Sequence, residues 1–376
     1  MTTANPMIGE VIAIGDELTS GQRLDTNSQW LAQRLGDLGV AVMYHTAVGD
    51  DLAPMVDVVR AAASRADVIV CTGGLGPTAD DLTRDAIAQC AGVPLRQDDD
   101  MLNHIRGIYA QRKRPMPERN VVQAMFPEGS RAIPNPHGTA PGVDVFLERN
   151  DARGGEPLAR VFALPGVPAE MKQMWDETVA PAIIEMIPPD ARRVVLHRRL
   201  KCFGVGESDL EAMLPDLIHR DHYPRIGITV SRATITLRAT ATEIDEAECL
   251  RVIEPALATM RECLGELVFG TEDEELHHVV AQALVAQGKT LATAECFTHG
   301  LLAKWLAETP EVEDFYCGGR VRVGQSVDVF AIARDLKAET GADYALVIGA
   351  AESADGEGSA IPIALACGDE ITGRSA

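Results

Sequence analysis

Aromatic residues are scarce, at 4% of the chain, and no apolar run reaches the length needed to span a bilayer, so an integral membrane protein is not indicated. The segment from Met1 to Leu18 lacks a basic start followed by a long apolar stretch, and neither a signal peptide nor an anchor is expected. Eight cysteines are scattered between Cys71 and Cys367 without a C-x-x-C pair or a Cys/His cluster at zinc-ligand spacing. That pattern suits a reducing cytoplasm. Positive charge is also short: 34 Lys plus Arg stand against 56 Asp plus Glu, a net charge of −22. Such an excess repels phosphate backbones and anionic lipid heads, which argues against nucleic acid or a membrane as a partner. An anionic small ligand then needs a local patch of amides, arginine or metal to overcome the field.

What is present fits a soluble globular chain. At 376 residues, 46% hydrophobic and 24% charged, it is long enough for two or three domains. The short β-branched run from Glu10 to Gly15 reads as a buried strand. Trp30, Leu31, Leu35 and Leu38 follow at helical spacing, capped by Thr26, Asn27 or Ser28. A second strand spans Val40 to Val48, and Leu52, Met55, Val56, Val59 and Ala62 mark a second helix. A third strand, Ala66 to Cys71, ends in Thr72-Gly73-Gly74. This βαβαβ alternation implies a parallel sheet between two helical layers, with ligands at the carboxyl ends of its strands. A helix is expected at Thr78–Ala91 and a last strand at Arg160–Leu164. The domain reading is residues 1–189 for a three-layer α/β domain, 190–258 for a small α+β unit, and 274–376 for a compact α/β segment.

Chemistry concentrates at the strand exits. In Cys71-Thr-Gly-Gly-Leu-Gly-Pro-Thr-Ala-Asp-Asp-Leu-Thr83, the residues Gly73, Gly74 and Gly76 permit close backbone approach, so successive N–H groups, with Thr78, can cradle two linked phosphates. No Walker-type Gly-Lys-Ser/Thr follows, so ordinary ATP hydrolysis is not indicated. Asp80 and Asp81 stand next, either as ligands of a hard divalent cation that activates water or as residues of a first helical turn complementing its dipole beneath a Thr78 cap. The loop Gly15 to Gly21 with Asp25, Thr26 and Asn27 leaves the first strand, and Glu17 and Asp25 become further metal ligands if it faces the same crevice; taken separately, Asp25 and Thr26 read better as an ordinary turn and helix N-cap. Asn27, Asn135 and Thr139 are candidate orienting donors. Gly138, Pro165 and Gly166 belong to rigid loops, Asn135–Gly142 and Leu164–Glu170, of the kind that hold substrates.

Ile14-Gly-Asp-Glu-Leu with Gly21 and Asp25-Thr-Asn27, Thr72-Gly-Gly-Leu-Gly-Pro-Thr78 with Asp80-Asp81, Asn135-Pro-His-Gly-Thr-Ala-Pro-Gly142 and Leu164-Pro-Gly-Val-Pro-Ala-Glu-Met171 resemble, in order, the N-terminal domain of the CinA family. That domain is similar to the molybdopterin-binding domains of MogA and MoeA. Phe203-Gly-Val-Gly-Glu-Ser-Asp-Leu210 looks like the family's KH-type middle domain, which is not known there as an RNA reader. The resemblance implies metal-dependent hydrolysis of ADP-ribose or a related nucleoside diphosphate compound by the N-terminal domain, and a homodimer. For the C-terminal domain it implies deamidation of nicotinamide mononucleotide.

The C-terminal motifs depart from the family. Thr293-Ala-Glu-Cys-Phe-Thr-His-Gly300 stands where Thr-Ala-Glu-Ser-Cys-Thr-Gly-Gly is usual, so Cys296 replaces the serine. Val323 occupies the place of a tyrosine, Asp328 that of a lysine, and Gly349 to Gly356 replaces a Gly-Ile-Ala-Gly-Pro loop. A folded domain without deamidase activity is therefore expected. The alternatives are a surviving amidase using Cys296 with His299 as its base, or a nucleotide- or pterin-binding protein without turnover.

Overall fold

The computed structural model describes residues 7–149, 158–214, 217–219, 221–231, 233–322, 328–353 and 359–375. They divide into two compact units, Met1–Leu196 with Ala241–Val252, and His197–Thr240 with Ile253–Ala376. Among the described residues no helix is long and apolar enough to cross a membrane.

In the first unit, β1 (Ile8–Ile14), β2 (Ala41–Val48) and β3 (Val68–Thr72) belong to a six-stranded sheet that continues with the strands Leu158–Leu164, Gly142–Glu148 and Arg131–Ile133, in the spatial order β2, β1, β3 and then those three. The pairings β1 with β2, β1 with β3, and β3 with Leu158–Leu164 are parallel. The two outer pairings beyond Leu158–Leu164 are antiparallel, so the expected parallel sheet is a mixed one. Chain length is the reason: the connection from Glu148 to Leu158 is too short for the crossover of a dozen or more residues that a parallel return needs. Helices Thr26–Asp37 and Leu52–Arg65 make the β1-to-β3 crossovers, and separate apolar clusters form on the two sheet faces. β3 is buried along its whole length, as its apolar sequence demands.

Charged groups are also built into this interior. Glu10, on β1, is fully buried; Arg65 donates to it at 2.6 and 2.8 Å, and Thr46 at 2.7 Å. Removing Arg65 alone strands the carboxylate in the core, a change that typically costs about 3–5 kcal/mol.

The middle of the chain forms a four-stranded sheet in the order Arg225–Ser231, Thr234–Glu243, Val194–Phe203, Val268–Thr271. The C-terminal sheet runs Tyr316–Val321, Leu291–Glu295, Tyr344–Ile348, Pro362–Cys367, Glu370–Ser375. Its first three strands are parallel and its last two antiparallel. Helix Val329–Thr340 packs on this sheet through Val329, Ile332, Ala333 and Leu336.

Candidate functional site

Because neighbouring parallel strands end on the same side, the exits of β1, β2, β3 and Leu158–Leu164 open together. They border a crevice of about 600 Å³. Gly15 and Glu17 come from the β1 exit, Asp50 from β2, Gly73 to Pro77 from β3, and Pro165 to Pro168 from the fourth strand. Thr139, Ala140 and Gln123 close the far wall. A narrower slot of about 40 Å³ shares Ile14, Glu17, Arg23 and Gly166 with it and adds Asp25 and Asn27.

The glycine loop is shaped by close contacts. Gly73 has φ +109° beside the Ile14 carbonyl, where any Cβ would collide with that oxygen. Gly76 packs directly on the Asp81 carboxylate, leaving no room for a side chain. Asp81 gathers the loop: one oxygen accepts the Gly76 N–H at 2.8 Å, and the other accepts the Thr78 N–H at 2.8 Å and the Thr78 hydroxyl at 2.5 Å. The Gly73 N–H donates to Leu164 O at 3.0 Å.

These bonds correct the expected cradle. The amides of Gly73, Gly76 and Thr78 are engaged within the protein, so Gly73, Gly74 and Gly76 line the crevice as backbone surface while Thr78 turns into its own loop. The helix starts at Thr83, not at Thr78, because residues 78–82 wrap around Asp81. Asp81 therefore lies outside the first helical turn, and each of its oxygens already accepts a hydrogen bond from its own loop.

The expected metal set also separates. Asp25 caps helix Thr26–Asp37 by accepting from Ser28 N at 2.9 Å, and it lines the slot, not the main crevice. Among the described residues no three His, Cys, Asp or Glu side chains converge as a metal ion needs. Of the expected set, Glu17, Asp80 and Asp81 do line the crevice, joined there by Asp50. Asp80 is exposed and follows Thr78 by two residues, but the Thr78 hydroxyl donates its hydrogen bond to Asp81. Burial raises the Asp50 carboxyl, against the pull of the Asp16 backbone N–H, and the charges of Asp16, Glu17 and Asp80 raise it further.

The other expected donors divide in two. Asn27 ties strand ends together, its amide donating to Thr72 Oγ1 at 3.1 Å and Gly166 O at 2.9 Å. Asn135 is buried and fully engaged: it donates to Ala140 O and the Glu170 carboxylate, and accepts from the His137 and Gly138 N–H groups. It orders the loop instead of meeting a ligand, and Gly138 gives up its amide to the same knot. Thr139, Pro165 and Gly166 line the crevice as expected. Sequence reasoning missed Asp50, Gln123, Glu170 and Arg23. Arg23 is the basic residue that lines both crevice and slot, and the only Lys or Arg between Gly15 and Asn27.

At the C-terminal motif, Glu295 is fully buried and accepts from Thr298 Oγ1 at 2.5 Å and from the N–H groups of Gly300, Leu302 and Ala303 at 3.1, 3.0 and 2.8 Å. It thus fills the amino end of helix Leu301–Ala307. Cys296 is buried, burial raises its thiol pKa against the opposing charge of Arg322, and no hydrogen bond joins it to the exposed His299. Asp328 caps helix Val329–Thr340 by accepting from Phe330 N and Ala331 N. Val323 and residues 354–356 of the replaced loop lie outside the described residues.

A mixed α/β domain with glycine-rich strand exits, a small α+β sheet and a second α/β domain define a three-part chain, and three family descriptions match it in succession. They are "Probable molybdopterin binding domain" over residues 10–185, "Damage-inducible protein CinA KH domain" over 197–270, and "CinA C-terminal domain" over 273–342. The chain belongs to the CinA family. A CinA-like protein of Frankia casuarinae is 39% identical over 337 residues, covering 88% of this chain and 75% of the relative. A protein of Bacillus velezensis named for competence-damage induction is 36% identical over 335 residues, covering 89% and 78%. The crystal structure of a CinA protein from Thermoplasma acidophilum, described as of unknown function, is 35% identical and covers 47% of this chain and 99% of that one, with a TM-score of 0.41.

Proposed function

We propose that the N-terminal crevice takes ADP-ribose or a related nucleoside diphosphate compound and hydrolyses its diphosphate bond with a divalent cation. The observation that carries this reading is the acidic lining: Glu17, Asp50, Asp80 and Asp81 border a crevice of about 600 Å³, and the charges of Asp16, Glu17 and Asp80 oppose ionisation of Asp50. Such a lining repels a bare diphosphate, so an anionic ligand enters with positive charge alongside it. A small hard cation keeps several waters and draws further ligands from substrate phosphates, so one or two protein carboxylates suffice. Asp80 and Asp50 fit that need, with Glu17 beside them. When bound, the cation supplies Lewis-acid polarisation of the phosphoryl oxygens and a nucleophile at neutral pH.

The chain's own groups have separate tasks. Arg23 binds the anionic or ribose end at the junction of crevice and slot. Thr139 orients the ligand from the far wall. Asp80 accepts a hydrogen bond from the attacking water. Asp81 acts indirectly, by holding the glycine loop. Purified full-length protein incubated with ADP-ribose and magnesium, manganese or cobalt is expected to release AMP; no release with any of these cations refutes hydrolysis.

A second reading has its own support, since no three metal-type side chains converge among the described residues and the amides of Gly76 and Thr78 are committed to Asp81. In that reading the crevice binds a nucleotide or pterin without turnover. Asp80→Asn separates the two: an enzyme loses turnover and keeps its ligand, whereas a binder has no turnover to lose.

For the C-terminal domain the proposal is loss of deamidation. A buried thiol whose ionisation is opposed is a poor nucleophile, and no base touches it among the described residues. The full chain is expected to release no ammonia from nicotinamide mononucleotide. Release that Cys296→Ala abolishes would overturn this.

A further inference from the structure

Beneath the crevice lies a buried cation that the proposed chemistry does not use. Arg84, on helix Thr83–Ala91, is 2% exposed. Its guanidinium donates to Leu75 O at 3.0 Å and to Pro141 O at 3.1 Å, while its Nε–H has no acceptor. Leu75 belongs to the glycine loop, and Pro141 follows Thr139 and Ala140 of the far wall; Leu75, Thr139 and Ala140 all line the crevice. One side chain thus bridges two walls of the same cavity.

Its charge is the unusual part. Among the described residues no carboxylate pairs with Arg84; Asp81 and Asp85 act on it only through space, and both oxygens of Asp81 are already committed to Gly76 and Thr78. Burial lowers its pKa to about 10, which still leaves it charged at neutral pH. Besides the two carbonyl dipoles, only the Phe126 ring among the described residues, 6.0 Å from the guanidinium carbon, faces this cation, and a buried charge so held, with one idle N–H, is costly without a counter-charge. A negative charge entering the crevice offsets that cost, and the low dielectric that makes the bare cation costly also strengthens the attraction.

We propose that Arg84 is a positioning residue of the crevice: it fixes the separation of the glycine loop and the Asn135–Gly142 loop, and its unpaired charge is completed by the anionic group of the ligand. This rests on the reading that the crevice takes a diphosphate compound. It assigns the anion's attraction to a cation below the floor, where loop amides were expected to supply it.

The test compares three full-length variants: Arg84→Lys keeps the charge, Arg84→Gln keeps one donor without charge, and Arg84→Met keeps only bulk. ADP-ribose with magnesium is titrated calorimetrically into each, and each is melted with and without that ligand. Binding is expected to weaken about tenfold or more in the Gln and Met variants and to stay within about threefold of wild type in the Lys variant. The ligand-induced rise in melting temperature should follow the same order, whereas the ligand-free melting temperature should not. If the Met variant does not fold, the Lys-to-Gln comparison decides. Equal binding by the Lys and Gln variants, or loss of binding that merely tracks ligand-free stability, overturns the role of Arg84. Failure of the wild type itself to bind refutes the diphosphate reading instead.

Discussion

Asp81→Asn changes one atom group and tests the central geometric claim about the glycine loop. The carboxylate accepts three hydrogen bonds through two oxygens, from Gly76 N, Thr78 N and Thr78 Oγ1. Asparagine keeps one acceptor oxygen and presents an NH₂ where the other stood, so at least one backbone N–H meets a donor. Hydrogen bonds to charged groups contribute about 1.5–3 kcal/mol each, and Asp81 is only half-buried, so the lower part of that range applies to each bond lost. A net loss of about 2 kcal/mol corresponds to a fall of roughly 4–8 °C in the transition of a unit this size. Asp80→Asn serves as the control: Asp80 is exposed, and its replacement should leave melting within about 1 °C while removing turnover of ADP-ribose. The assay is differential scanning fluorimetry of both variants, paired with AMP release. The two neighbours should therefore fail differently, Asp81→Asn in stability and ligand binding together, Asp80→Asn in turnover alone. An Asp81→Asn protein that melts with wild type would show that the carboxylate does not hold the loop, and the structural role assigned to it would be wrong.

Three further outcomes follow from other parts of the chain. Arg23→Ala removes the exposed base that lines crevice and slot, and is expected to raise KM for ADP-ribose about tenfold with kcat little changed; an unchanged KM removes Arg23 from the site. Asp343 bonds Lys289 Nζ at 2.8 Å and the Thr290 amide, chiefly the former holding its pKa at about 2. A folded pKa below the unfolded one gives stability that is present above about pH 4 and lost as pH falls toward 2, so the melting difference between wild type and Asp343→Asn should shrink over that window. With Ellman's reagent at pH 8, the exposed Cys317 and Cys367 should react promptly, whereas buried Cys71, raised to about 12, and Cys296 should react only on unfolding; fast labelling of Cys296 would contradict its burial.

The β1-to-β3 crossovers were legible because their signals are local. The apolar run ending at Cys71 and the stripe Leu52, Met55, Val56, Val59 need no distant partner to be read. Where strands end also follows from parallel pairing alone, and this locates the crevice. The same rule could have found Asp50: Val48-Gly49-Asp50 is a strand exit like those of Gly15 and Gly73, at the same end of the sheet. The antiparallel outer strands were not visible in the apolar pattern, because a buried strand looks the same in either direction; the short connection from Glu148 to Leu158 was the available clue. The roles of Asp81 and Asn135 escaped for a different reason. A carboxylate or amide beside glycines has the same letters whether it meets a ligand or the N–H groups of its own loop.

That ambiguity resolves the same way three times in this chain. Asp81 collects Gly76 and Thr78, Asn135 collects His137 and Gly138, and Glu295 collects Thr298, Gly300, Leu302 and Ala303. In each case a short loop leaves its backbone N–H groups without sheet or helix partners, and one polar side chain within or beside the loop satisfies several of them together. Such a side chain has little capacity left for a ligand, so on the proposed reading contact falls to neighbours whose polar atoms are less committed: at the N-terminal crevice, Asp80 beside Asp81 and Thr139 near Asn135. At the C-terminal motif Glu295 is committed in the same manner, and Cys296 and Asp328, which stand where the family resemblance implies a serine and a lysine, are the one buried and the other spent on a helix cap. On the proposed reading, the same loop architecture supports a site in the N-terminal domain and only a fold in the C-terminal one.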